Sequence, residues 1–155
     1  MSWNPIAQGS SVINVKEVAM AFPAGHLANA RIEYVGAASV KLATPLHACT
    51  ARVMHNSSAD VGVDVTISTD LTVSFGNPNG IGGLDTGTEA ADAYYEVWLG
   101  AKAAGADPGL MFVKVGTSGT WPAGYDYRML LVTVQNSSGD IVSFPPIVSQ
   151  PYMQQ

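Results

Sequence analysis

Apolar and polar residues alternate with a period of two along much of this chain, the spacing of a strand with one buried face and one wet face. The cleanest run is Asp60 to Ile67, where Val61, Val63, Val65 and Ile67 alternate with Gly62, Asp64 and Thr66. Leu71, Val73 and Phe75 carry the pattern on after Ser68-Thr69-Asp70, which predicts a hairpin or a bent pair of strands. Val12 to Phe22, Arg31 to Val35, Val40 to Leu42 and Leu46 to Met54 read as further strands, although Val15, Val18, Ala19 and Phe22 also satisfy a short helix. Ala93 to Lys102, Leu110 to Val115, Tyr125 to Gln135 and Ile141 to Phe144 complete the set. Nine or ten short strands separated by turn residues, with no long helical period, predict an all-β protein, an antiparallel β-sandwich of jelly-roll-like type. Residues 1 to 10 show no period, so the expected organisation is an extended N-terminal arm over 1–25 and a sandwich domain over 26–155.

Composition narrows the partners. The chain has 155 residues, enough for one domain with its own core, and 47% of them are hydrophobic while only 12% are charged. So low a charge suits a surface that is covered by copies of the chain or by a larger assembly. The net charge is −5, and Lys16, Arg31, Lys41, Arg52, Lys102, Lys114 and Arg128 are dispersed. A nucleic-acid surface needs clustered cations to displace counterions, so no nucleic-acid partner is expected. No apolar run approaches the length of a membrane helix and no charged start precedes an apolar stretch, so neither a membrane span nor a secretory leader is expected. The expected site of synthesis is a cytoplasm. Asn56-Ser57-Ser58 and Asn136-Ser137-Ser138 then read as turn residues and not glycan acceptors.

Chemistry-bearing patterns are few. Cys49 is the only cysteine, which excludes an intrachain disulfide and a thiolate zinc site. His26, His47 and His55 have no partner at a metal-ligand spacing, and His47 and His55 would share a face only if one regular strand joined them. Neither a strained Gly-x-Ser-x-Gly turn nor a phosphate-binding glycine loop is present. No cofactor or metal is expected.

Asp85-Thr86-Gly87 is the tripeptide of aspartic proteases, in which two such segments share a proton between two carboxylates. Its flanks point elsewhere. Asn77-Pro78-Asn79-Gly80-Ile81-Gly82-Gly83 breaks strands, and Tyr95, Val97 and Leu99 then alternate with Tyr94, Glu96 and Trp98. Asp85 and Thr86 therefore read as part of a connection between strands, their short oxygens bonding nearby backbone N–H groups and holding that connection. Tyr94, Trp98, Trp121, Tyr125 and Tyr127 offer flat rings on which a sugar face can stack, or else divide between core and subunit contacts.

Three motifs carry a likeness. Gly82-Gly83-Leu84-Asp85-Thr86-Gly87-Thr88 precedes the aromatic strand Tyr94-Tyr95-Glu96-Val97-Trp98-Leu99; Pro122-Ala123-Gly124-Tyr125-Asp126-Tyr127-Arg128 enters a strand; and Ser137-Ser138-Gly139-Asp140-Ile141-Val142-Ser143-Phe144 forms a terminal hairpin pattern. Together, over about Asp70 to Phe144, they resemble a β-rich domain found in fibre, spike and other structural proteins of tailed bacteriophage virions. The chain departs from that pattern after Arg128, where Met129-Leu130-Leu131 replaces a second basic residue and an isoleucine-glycine pair. The resemblance implies a non-enzymatic virion protein, a homotrimer that decorates or cements the capsid by binding the major capsid protein. Trp3, Pro5 and Ile6 would belong to the attachment arm. The alternative is a tail-fibre or head-fibre protein that recognises a host glycan through Trp98, Trp121, Tyr125 and Tyr127. A remote alternative is a homodimeric aspartic protease using Asp85 from each copy.

Overall fold

The computed structural model describes residues 26–44 and 47–149. The expected arm, with Trp3, Pro5 and Ile6, and the strand expected over Val12 to Phe22 lie outside the described residues. The elements are β1 Leu27–Ala28, β2 Arg31–Gly36, β3 Ser39–Ala43, β4 Cys49–His55, β5 Ser58–Ile67, β6 Leu71–Ser74, β7 Ala93–Ala101, β8 Gly109–Lys114, β9 Tyr127–Ser137, β10 Asp140–Ile141 and β11 Ile147–Val148, with a single helical turn at Ala103–Gly105.

These strands form two antiparallel sheets that pack as a sandwich. The larger runs β5-β4-β9-β7-β8, with the short β1 beside β4 and β10 beside β9; the smaller runs β11-β2-β3-β6. The alternation seen in the sequence decides which side chains meet between them. Ile32, Val40, Leu42 and Val73 of the small sheet close onto Val53, Val65, Ile67, Tyr95, Val97, Leu99 and Phe112 of the large one, all buried. Phe75, just past β6, stacks on Phe112 at 4.2 Å between ring centroids and meets Tyr95 edge-on at 4.8 Å, so it bridges the two layers. Removing a ring of this kind from a packed core costs about 3–5 kcal/mol.

The Ser68-Thr69-Asp70 break is a crossing between sheets. β5 pairs with β4 along its length, whereas β6 pairs with β3, so the expected hairpin between them does not form. True tight hairpins occur elsewhere. Ser138 and Gly139, which join β9 to β10, both have positive φ (57° and 91°), the backbone of a two-residue turn that follows the right-handed twist of its strands. Asn136 is not a turn residue, contrary to the sequence reading. It is fully buried at the end of β9, where its Nδ2 donates to Glu89 Oε1 at 2.7 Å and to the Ala90 carbonyl at 3.0 Å.

The outward face of the small sheet is polar. Glu33 pairs across the strands with Lys41, the two joined at 3.1 Å, and Lys41 also reaches Asp70 at 3.2 Å; Arg31 pairs with Glu33 as well. The outward face of the large sheet is different in kind, and the candidate site lies there.

Candidate functional site

On β7 the outward positions are Tyr94, Glu96, Trp98 and Gly100, alternating with the buried Tyr95, Val97 and Leu99. Register carries the face sideways. Tyr94 lies opposite Gln135, Glu96 opposite Thr133 and Val113, Trp98 opposite Leu130 and Met111, and Gly100 opposite Arg128 and Gly109. The register shifts between Val97 and Trp98, so that β9 carries one extra residue, Leu131, beside the site. A bulge of this kind bends a strand and re-aims its side chains.

The connection from β8 to β9 folds back over this face. Trp121 comes to rest on Gly100, where a Cβ would lie 2.5 Å from its Cζ3 and 3.3 Å from Tyr125 Cδ1. Only glycine lets the indole approach the strand this closely. Trp98 meets Trp121 edge-on at 6.4 Å and 87°, and its Nε1–H donates to Glu96 Oε2 at 2.8 Å. The guanidinium of Arg128 stacks on Trp121 at 4.4 Å, and its Nε–H donates to the Tyr125 carbonyl at 3.0 Å. Burial holds the Arg128 pKa below its ordinary value, against an opposing effect from Asp126.

These groups enclose a pocket of about 80 Å³ lined by Glu96, Trp98, Val113, Thr117, Ser118, Trp121 and Arg128. Thr117 Oγ1 donates to the Lys114 carbonyl at 2.8 Å, which leaves its oxygen able to accept.

Asp85 holds the wall of the pocket from behind. Residues 82–85 run beside β8: Gly82 N–H donates to Leu110, Phe112 N–H to Gly83 and Asp85 N–H to Phe112, with Leu84 bridging Phe112 in parallel. Asp85 is only 8% exposed, and its Oδ2 accepts the Thr120 N–H at 3.0 Å. The segment thus lies in the connection between β6 and β7, and its carboxylate fastens that connection to the one carrying Thr117, Ser118 and Trp121. The bonded N–H belongs to a distant loop and not to the local turn.

Of the aromatics named from the sequence, Trp98 and Trp121 come together. Tyr125 sits next to Trp121 over Gly100, with Lys102 Nζ 5.4 Å from its ring centroid. Burial raises the Tyr125 pKa above its ordinary value, partly offset by Lys102. Tyr127 faces elsewhere: it packs against the core, and its ring meets His55 edge-on at 5.1 Å. The residues that sequence reasoning did not place in the site are Glu96, Arg128, Thr117 and Ser118. Alternation alone puts Glu96 on the face of Trp98; Arg128 arrives by the β7–β9 register, opposite Gly100, and Thr117 and Ser118 by the fold of the β8–β9 connection.

The histidines do not converge. His47 is exposed and precedes β4, while His55 ends it and bonds Ser57 Oγ at 2.9 Å, so no regular strand joins them. Among the described residues no three His, Cys, Asp or Glu are grouped to hold a metal ion, and no helix is long and apolar enough to cross a membrane.

A second feature of the same face is apolar. Val142, Gln135, Tyr94 and Val115 lie in one row across four adjacent chain segments, fixed by the Val142 N–H bond to Gln135 and the Val115 N–H bond to Tyr94. Tyr94 is 54% exposed, and Val115 and Val142 are each 45% exposed. Leu130, beside Trp98, is exposed as well. Comparison with family models, with curated proteins and with solved structures finds no match to this chain.

Proposed function

We propose that the chain is a structural protein of a tailed-bacteriophage virion, which acts by surface contact as a homotrimer on the capsid and cements the major capsid protein. The observation that carries this reading is the set of exposed side chains Val142, Tyr94 and Val115, in one row with Gln135 between the first two, on the outer face of the large sheet. Apolar side chains grouped in this way mark contact surfaces, and a chain with 12% charged residues has little else with which to keep such a face wetted. The motif resemblance around Leu84-Asp85-Thr86-Gly87 and Pro122 to Arg128 supports the virion assignment. The reading assigns no catalytic role.

Its test is particle association. A tagged chain, produced in cells infected by the phage that carries its gene, is expected to sediment with assembled heads through a density gradient. Recovery only with free protein overturns the reading.

A second reading has its own observation. The pocket between Trp98 and Trp121 combines aromatic walls, a carboxylate and a guanidinium, the components of a glycan site on a fibre protein. Under this reading Trp121→Ala lowers adsorption to host cells and leaves particle stability unchanged.

A further inference from the structure

Glu96 and Arg128 line the same small pocket, yet they form no ion pair with each other. Each is held by its neighbours in a way that leaves part of it open. Glu96 spends one carboxylate oxygen on the Trp98 indole N–H. Arg128 spends Nε on the Tyr125 carbonyl and one face on Trp121, while its terminal nitrogens bond nothing among the described residues. A guanidinium fixed by a stack and one hydrogen bond presents its remaining N–H groups as a preset fork, the geometry that matches a carboxylate with two parallel bonds. Burial disfavours this cation while Asp126 favours it, and a guanidinium keeps its charge in proteins, so an arriving anion meets a cation.

We infer that the pocket between Trp98 and Trp121 binds a carboxylate-bearing pyranose, with the sugar carboxylate on Arg128 and its hydroxyls on Glu96, Thr117 and Ser118. Each part of the site corresponds to a part of that ligand. The open Glu96 oxygen accepts from a sugar hydroxyl, which a simple anion does not offer. Ser118 is exposed at the rim and can donate or accept. The indole edges and Val113 meet the C–H surface of a ring. A pocket of about 80 Å³ takes the carboxylate and the ring edge next to it, while the rest of a glycan lies over the open face toward Leu130. This inference rests on the glycan reading of the pocket and is independent of where the chain sits in a particle.

The experiment follows the Trp98 and Trp121 indole N–H resonances of the full-length chain as methyl glucuronide, methyl glucoside and acetate are added in turn. The glucuronide is expected to shift both signals and to bind at least about tenfold more tightly than either of the others, because a charge-assisted bidentate pair replaces a neutral contact. Arg128→Lys, which keeps the charge and loses the fork, is expected to abolish most of that preference. Equal binding of glucuronide and glucoside overturns the inference and leaves the glycan reading standing. No shift with either sugar overturns both. Acetate as effective as glucuronide overturns the sugar assignment, and so does an N-acetylglycine control, mimicking a peptide C-terminus, that binds more tightly than the sugar acid.

Discussion

The carboxylate of Asp85 accepts the backbone N–H of Thr120 across 35 residues of sequence, at 3.0 Å. One bond therefore joins the glycine-rich connection before β7 to the connection that folds over the outer face. Asp85→Ala leaves that N–H unpartnered, and the expected loss is about 1–3 kcal/mol in a denaturant titration. Asp85→Asn keeps an acceptor and is expected to lose less. Amide exchange at Thr120 should quicken in the alanine variant and stay close to wild type in the asparagine variant.

Gly100 supports Trp121. A methyl group there would sit 2.5 Å from the indole, so Gly100→Ala must displace the ring that forms one side of the pocket. The expected cost is about 1–3 kcal/mol, with a change in tryptophan fluorescence in the folded protein. A variant with unchanged emission and unchanged stability would place Trp121 away from β7.

The outer polar cluster of the small sheet sets the response to pH. Hydrogen bonding to Lys41 lowers the Glu33 pKa, and the Thr44 N–H, with Lys41 behind it, lowers that of Asp70; Glu33 and Asp70 in turn raise the Lys41 pKa. Groups with lowered carboxyl values stabilise the fold above their unfolded pKa, near 4, and lose that contribution as pH falls through the folded value. The raised lysine stabilises below its unfolded pKa, near 10.4, and loses its contribution as pH rises through its folded value. Lys41→Met is expected to flatten both flanks of a stability-versus-pH curve. Because Asp70 is exposed and Lys41 and Glu33 are only partly covered, the effect should weaken with added salt.

Cys49 lies in the core, and burial pushes its thiol up to about 11. The thiolate is the reactive form, so a thiol reagent at pH 8 is expected to label native protein only as fast as the chain opens. Rapid stoichiometric labelling without denaturant would contradict the burial.

The strand pattern was readable where alternation is strict. Asp60 to Ile67 falls inside β5, and Tyr95, Val97 and Leu99 point inward as their spacing requires. Sheet membership was not readable, because β5 and β6 show one pattern on either side of a crossing, and periodicity carries no record of which partner a strand finds. The two-residue strands β1 and β11 are too short to display a period at all. In the site, Trp98 and Glu96 were legible as one face of a strand. Arg128 joins them through the β7–β9 register, and Trp121 and Ser118 through a connection that Gly100 admits and that Asp85 fastens at Thr120, long-range facts that local spacing does not encode.

On the proposed reading, the row Val142, Tyr94 and Val115, at the opposite end of β7 from Gly100 and the Trp121 pocket, is where copies of the chain meet. That contact is tested most directly by the solution mass of the full-length protein, measured by light scattering beside a Tyr94→Ser, Val115→Ser double variant. Both positions are exposed, so the variant is expected to fold as the parent does, with the same circular dichroism and melting behaviour of the subunit. The parent is expected to be a trimer and the variant a smaller species. A parent that is monomeric, or a variant that keeps the parent's mass, would contradict it.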